Sequence, residues 1–339
     1  MSIKVISKQD VTAWLTSLAA ANELIAPVET DGAWRFLTVS DPSAVNLDGP
    51  CPSKGTLREH FMPETETLFE YTVSGQSAEL TTEEPSVKGR IILGATACDA
   101  GSIRYVDAVY SNVKPLDTPY FDRRERTTVI GTFCGKPSWS CFCTEVNDFL
   151  RNPIEMDVYL TDIGEKYLAE GFSPKGEEIL KAAQFTDASP ADIEAAESIR
   201  NAVIAKLPAP ANHAEECLSY DWDHPVWQKL AQKCLGCGAC AFLCPTCHCF
   251  DIQECSKGKK GSRFRCWDTC QFEKFTLMGH GHNPRPTRKE RTRQRVFHKY
   301  NYSQERYGML GCVGCGRCIS VCPVNIDIHR VIHKLEEKV

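Results

Sequence analysis

The sequence predicts an α+β protein, with an N-terminal mixed α/β domain over residues 1–212 and a C-terminal α-helical, ferredoxin-like domain over 213–339. Three observations predict it. Short β-rich runs separated by Gly, Pro and Ser turns fill much of the first 160 residues. In the last third, cysteines at fixed spacing lie beside helical stretches. Charge divides near the same place: residues 1–215 carry 19 basic and 32 acidic side chains, net −13, whereas 216–339 carry 20 and 12, net +8. Two units with different surfaces, and different partners, follow from that asymmetry.

In chain order, Val11 to Asn22 reads as an amphipathic helix with Val11, Trp14, Leu15, Leu18 and Ala19 on one face. Arg35–Val45 and Leu68–Leu80 read as β-rich. Arg90 to Cys98 reads as a buried strand ending at a cysteine, and Thr127 to Cys134 repeats that plan. After a strand at Met156–Leu160, Ser189-Pro190-Ala-Asp192 opens a helix to about Lys206, with Ser189 as N-cap and Pro190 at the first position. Leu207 to Asn212 breaks it and marks the domain boundary. Beyond it strand signals are scarce, and Trp222–Lys233 and Ile326–Glu337 read as helices.

The 339 residues are 42% hydrophobic and 24% charged, as in a globular protein that can bury two cores. No run of eighteen apolar residues occurs, which predicts no membrane span. Met1 to Asp10 lacks the apolar stretch of a signal peptide, so the expected location is the cytoplasm. Nineteen cysteines in a long chain without an export signal point to metal ligation, and to a cell poor in oxygen, rather than to disulfides.

The chemistry lies in their spacing. Cys234-Leu-Gly-Cys237-Gly-Ala-Cys240-Ala-Phe-Leu-Cys244-Pro245 and Cys312-Val-Gly-Cys315-Gly-Arg-Cys318-Ile-Ser-Val-Cys322-Pro323 both have the bacterial two-cluster pattern, in which the fourth cysteine ligates the other cluster. The expected ligand sets are Cys234, Cys237, Cys240 and Cys322 for one [4Fe–4S] cluster, and Cys312, Cys315, Cys318 and Cys244 for the second. Zinc ribbons, which use separated Cys-x-x-Cys knuckles, do not need the third evenly spaced cysteine. Sixty-seven residues separate the two motifs, so extra structure is inserted between them. Upstream, Cys98, Cys134, Cys141 and Cys143 could form a further four-thiolate site or remain buried thiols.

Several further segments resemble one known family. They are Ala97-Cys-Asp-Ala100, Asp107-Ala-Val-Tyr110, Cys134 with Cys141-Phe-Cys143, His224-Pro-Val-Trp227 and Cys244-Pro-Thr-Cys-His-Cys249. Trp267-Asp-Thr-Cys270, Gly279-His-Gly-His282, His298-Lys299 and Cys312-Val-Gly-Cys-Gly-Arg317 continue the likeness over roughly residues 60–330. Together they resemble the A subunit of anaerobic sulfite reductase and the β subunit of soluble NAD(P)-linked [NiFe] hydrogenases (sulfhydrogenases). The resemblance implies an electron-transfer subunit working between a flavin/NAD(P)H subunit and a catalytic redox subunit of sulfite reductase, [NiFe] hydrogenase or heterodisulfide reductase type. It also implies a third [4Fe–4S] cluster on Cys98, Cys134, Cys141 and Cys143. The alternative is a self-sufficient reductase acting on a sulfur compound at a cluster or a leftover cysteine.

Cys51, Cys217, Cys247, Cys249, Cys255, Cys266 and Cys270 remain, and packing beside the clusters is the reading preferred for those near the motifs. The basic run Arg285, Arg288, Lys289, Arg291, Arg293, Arg295, His298 and Lys299 reads as a docking surface for an acidic partner. It lacks the interleaved aromatics of a nucleic-acid site, so none is expected. No Gly-x-Gly-x-x-Gly follows a strand and no Ser/His/Asp arrangement stands out, so no substrate site of the chain's own, and no catalytic residue, is expected.

Overall fold

The computed structural model describes residues 2–47, 55–82 and 88–337. Twelve strands lie among the described residues: β1 (Ile3–Ser7), β2 (Asn22–Thr30), β3 (Ala33–Thr38), β4 (Thr65–Ser74), β5 (Ser77–Thr81) and β6 (Gly89–Ala95), then β7 (Thr127–Thr132), β8 (Val158–Asp162), β9 (Lys166–Gly171), β10 (Thr186–Asp187), β11 (Phe250–Lys257) and β12 (Lys260–Trp267). Eight of them form one sheet in the order β10-β1-β9-β8-β7-β6-β2-β3. Its centre, β2-β6-β7-β8, is parallel, and antiparallel strands close both sides.

A parallel centre must be covered on both faces, and β6 shows how the sequence does it. Ile91 and Leu93 point into one core with Trp14, Leu15 and Leu24, under the helix Val11–Ala21. Ile92, one residue out of phase, points into the other with Ala100, Ile103 and Val106 of the helix Ala97–Ser111, and Ala95 joins it past the register shift at Gly94. The helix expected after Ser189 is present at Pro190–Ile204, and Ser189 and Asp192 close a reciprocal capping box.

Both strands expected to end on a cysteine stop short of it. β6 ends at Ala95, and Cys98 is the second residue of the following helix, whose N-cap is Thr96. β7 ends at Thr132, two residues before Cys134. The Thr96 hydroxyl accepts the Asp99 amide and starts a helix, which ends the extended run early.

The scarcity of strands after residue 212 is also corrected. β11 and β12, eight residues each, form a hairpin, and β12 pairs with β4 in a second sheet of order β11-β12-β4-β5. Its residues alternate weakly and are mostly exposed, so hydrophobic periodicity gave no signal. The boundary near 212 therefore does not divide the chain into independent bodies, because this sheet draws strands from both sides of it. A helical core does lie on the C-terminal side, where Trp227, Leu230, Val296, Phe297, Tyr300, Val331 and Ile332 pack together. Phe142, from the N-terminal side, packs into the same core. Among the described residues no helix is long and apolar enough to cross a membrane.

Candidate iron–sulfur centres

The two cysteine motifs adopt the same backbone. Gly236 and Gly238 have φ of 71° and 76°, and Gly314 and Gly316, at the matching positions, 64° and 72°. This left-handed region suits glycine, and in each loop it is followed at once by a single helical turn, Ala239–Phe242 or Arg317–Ser320. The second pair has a further constraint. A Cβ on Gly314 would stand 2.6 Å from the Cys143 amide nitrogen, and one on Gly316 would stand 2.2 Å from the Ser140 carbonyl oxygen. The second loop is thus pressed against residues 140–143.

One cavity is lined by Cys234, Cys237, Cys240, Cys318 and Cys322, with Leu230, Ile326 and Val331 as apolar wall. A second is lined by Cys312, Cys315, Cys318 and Cys244, with Phe142, Val313 and Ile328. Cys244 thus stands with the second motif and Cys322 with the first, while Cys318 lines both cavities. A single tetrahedral zinc, with Zn–S of about 2.3 Å, would hold its four sulfurs about 3.8 Å apart. Among the described residues no three cysteine sulfurs lie within 4.8 Å of one another. The thiols are spread too widely for one ion, and a polynuclear cluster fits the donor set.

Much of the basic run proves to be internal. Arg291, Arg293, Arg295 and Lys299, on the helix Arg288–Lys299, are all under 9% exposed, which corrects the docking surface expected there. Arg291 donates to the Arg285 and Pro286 carbonyls, and Arg293 stacks on Trp222 at 3.6 Å. Arg295 lines both cysteine cavities, donating to the Cys240 carbonyl at 2.7 Å and the Cys247 sulfur at 3.4 Å. Lys299 donates to Thr246 Oγ1 at 2.7 Å and the Gly311 carbonyl at 2.9 Å. Among the described residues neither Arg295 nor Lys299 has a carboxylate partner. Burial alone would lower both pKa values. The thiolates of Cys240, Cys244 and Cys247 around Arg295, and of Cys244 and Cys247 around Lys299, outweigh it and hold both cations charged.

Three of the N-terminal cysteines, Cys98, Cys141 and Cys143, lie against the second motif, and Cys134 follows the end of β7. Cys98 packs against Val313 and Cys315. Cys141 donates from Sγ to the Cys315 carbonyl at 3.7 Å, and the Phe142 amide donates to the Gly314 carbonyl at 2.9 Å. Cys134 lines a cleft at the end of the sheet with Thr96 and Asp99. Asp99 and Arg317, 0% and 3% exposed, form an ion pair at 2.8 Å that ties this corner to the second loop.

Three of the leftover cysteines also converge. The β11–β12 hairpin pairs Phe250 with Trp267, so the residues just outside its open end, Cys249 and Cys270, meet, and the Asp268 amide donates to the Cys249 carbonyl at 3.1 Å. With Cys247 they line a third cavity beside His248, His298 and Lys299. Cys255 and Cys266 lie on the hairpin itself, Cys217 is buried in the helical core, and Cys51 lies outside the described residues. His280 and His282 stand on an exposed loop, stacked on each other.

Sequence reasoning missed Arg58. Its guanidinium is buried over the Trp267 ring at 3.5 Å and donates to the carbonyls of Phe242 and Cys247 at 2.9 and 2.7 Å, clamping the chain on both sides of Cys244. No local signal marks it, since its partners lie more than 180 residues away.

Comparison with known proteins agrees with this geometry. Residues 233–326 match the 4Fe-4S dicluster domain family. Over 331 residues, covering 94% of each chain, the sequence is 30% identical to sulfhydrogenase 2 subunit beta of Pyrococcus furiosus. No solved structure is significantly similar.

Proposed function

Because the chain belongs to the sulfhydrogenase β-subunit family of 4Fe-4S proteins, we propose that it relays electrons between a flavin/NAD(P)H subunit and a catalytic redox subunit, with two [4Fe–4S] clusters in its crossed cysteine cavities and a third on Cys98, Cys134, Cys141 and Cys143. The single observation that supports this most is the crosswise lining of the two cavities, Cys322 joining the first motif and Cys244 the second. Each bound cluster would take up and release one electron at a time.

The protein's own residues supply the rest. Apolar side chains such as Leu230, Ile326 and Val331 keep water from the first cavity. Arg295 and Lys299 offset the negative charge that the thiolates and an added electron bring. The Cys141–Cys315 contact sets the N-terminal cysteines against the second loop, which supports an in-line order of three sites. Both ends of that row reach the surface. Cys237 is exposed beside Leu235, and Trp139, 81% exposed, precedes Cys141 by two residues. These ends suit two different partners. A catalytic subunit of [NiFe] hydrogenase type and a cytoplasmic complex follow from the same reading.

The test is made on the full chain, reconstituted anaerobically with iron and sulfide. About twelve irons per chain are expected, and about eight would remove the third site. The protein should be reduced by dithionite and remain inert with NAD(P)H, hydrogen, sulfite or polysulfide. Turnover of any of these by the chain alone would show a self-sufficient reductase instead.

A further inference from the structure

Beside the loop that carries Cys141 and Cys143, one carboxylate gathers three imidazoles. Glu145 lies on the short helix Cys143–Val146, His213 begins the turn His213–Glu216, and His329 and His333 stand one turn apart on the helix Ile328–Glu336. Glu145 Oε1 is 2.8 Å from His213 Nε2 and 2.5 Å from His333 Nε2, and its Oε2 is 2.6 Å from His329 Nε2. The Nε2 atoms of His329 and His333 are 3.2 Å apart. Behind His213, both carboxylate oxygens of Glu336 lie within 2.9 Å of Nδ1.

Glu336 accepts the Nδ1 proton of His213, so Nε2 faces the Glu145 oxygen either as the second N–H of an imidazolium or as a lone pair that can bind a cation. For His329 and His333 each to donate to Glu145, both Nε2 atoms must carry protons while 3.2 Å apart. A cation at the meeting point satisfies Glu145, His213 and His333, whose donor atoms all lie within 4.8 Å of one another. An ion bound to nitrogen at about 2.0–2.1 Å in tetrahedral geometry keeps its donors about 3.3 Å apart, so Glu145 Oε1 moves outward by several tenths of an ångström from His213 and His333 to admit it. The i, i+4 placement of His329 and His333 puts both rings on one helix face, and the carboxylate behind a ligating imidazole is the usual outer partner of such sites.

We propose that Glu145, His213 and His333 bind one divalent transition-metal ion of the zinc class, with Glu336 orienting His213 and His329 holding the second Glu145 oxygen. The site has three protein donors and leaves the fourth position to water. It fastens the last helix to the loop that carries Cys141 and Cys143, through the Phe142 ring, whose centroid lies 4.7 Å from that of His329. Nothing in the inference depends on the electron-transfer reading, and its readout is the metal itself.

The experiment uses the full chain reconstituted with iron and sulfide, equilibrated with Zn2+ and desalted. Zinc is counted by mass spectrometry and its ligands read by X-ray absorption. The expected result is one zinc per chain, with nitrogen and oxygen scatterers at about 2.0 Å and no sulfur shell. His333→Ala, at a half-exposed position that tolerates change, should lose this zinc while its iron content is unchanged. Glu336→Gln should weaken zinc binding about 10–100-fold. Absence of zinc, zinc with sulfur neighbours at about 2.3 Å, or full zinc retention by His333→Ala would each overturn the proposal.

Discussion

Replacing Asp99 by Asn removes the carboxylate that faces Arg317 while keeping the side chain's shape and its bond from Thr96 Oγ1, 2.8 Å long. The pair is almost wholly buried, with its charges 2.8 Å apart. At an effective dielectric of about 20 the attraction is about 6 kcal/mol. Desolvation of both ions offsets much of that in the intact protein, but loss of one partner leaves the other charged in a dry site, which costs about 3–5 kcal/mol. Asp99→Asn should therefore weaken the corner where the helix Ala97–Ser111 meets the second cysteine loop. Hydrogen exchange on the anaerobic protein reads this directly: protection of residues 97–111 and 313–320 should fall by roughly 10²–10³-fold, at about 1.4 kcal/mol per factor of ten. Asp99→Asn with Arg317→Met should recover most of the loss, since an apolar pair of similar volume is nearly neutral. A fall of less than about fivefold in the single variant, or a double variant no better protected than the single, would refute the reasoning.

Further outcomes follow from other contacts. Lys299→Met removes a buried cation held among thiolates. At about 7 Å and an effective dielectric of about 20, one charge is worth on the order of 100 mV, so the nearest cluster should titrate that much lower in an EPR-monitored redox titration. An unchanged potential would sink the assigned role. Gly316→Ala must place a methyl 2.2 Å from the Ser140 carbonyl at a φ of 72°; chemical denaturation should show a loss of about 2 kcal/mol or more, against little for Gly279→Ala, where an added Cβ meets nothing within 4 Å and φ is not left-handed. Trp139→Ala should weaken binding to one isolated partner subunit about 30-fold in a pull-down or calorimetric titration, and leave iron content intact. Burial, helped by the nearby Arg90, lowers the His60 pKa from 6.5 to about 4. Its neutral form is the folded one, so its contribution is complete above pH 6.5 and is lost as pH falls from there toward 4. That amounts to roughly 2 kcal/mol between pH 7 and 5. His60→Gln should be less acid-sensitive than the wild type by that margin, and parallel stability curves would contradict the shift.

What the sequence determined by itself is what short spacings encode. Cysteines three residues apart, glycines between them and a closing Cys-Pro are a local instruction, and the two loops follow it with matching backbone angles at Gly236 and Gly314. The crosswise placement of Cys244 and Cys322 was legible for the same reason, because a fourth cysteine beyond a helical turn has to leave its own loop. The buried run Ile91-Ile92-Leu93 and the cap at Ser189 were equally local.

Tertiary structure decided everything that joins distant segments. Cys249 and Cys270 meet only because a polar hairpin with weak alternation pairs Phe250 with Trp267. Arg291, Arg293, Arg295 and Lys299 read as surface charge, since a helix rich in arginine carries no mark of what will cover it. They went inside because aromatic rings, carbonyls and thiolates from other elements were there to receive them. Glu145, His213, His329 and His333 are spread over nearly 190 residues and share no spacing rule beyond one i, i+4 pair. Local geometry reaches about one turn of chain, and past that distance packing alone chooses which side chains face each other.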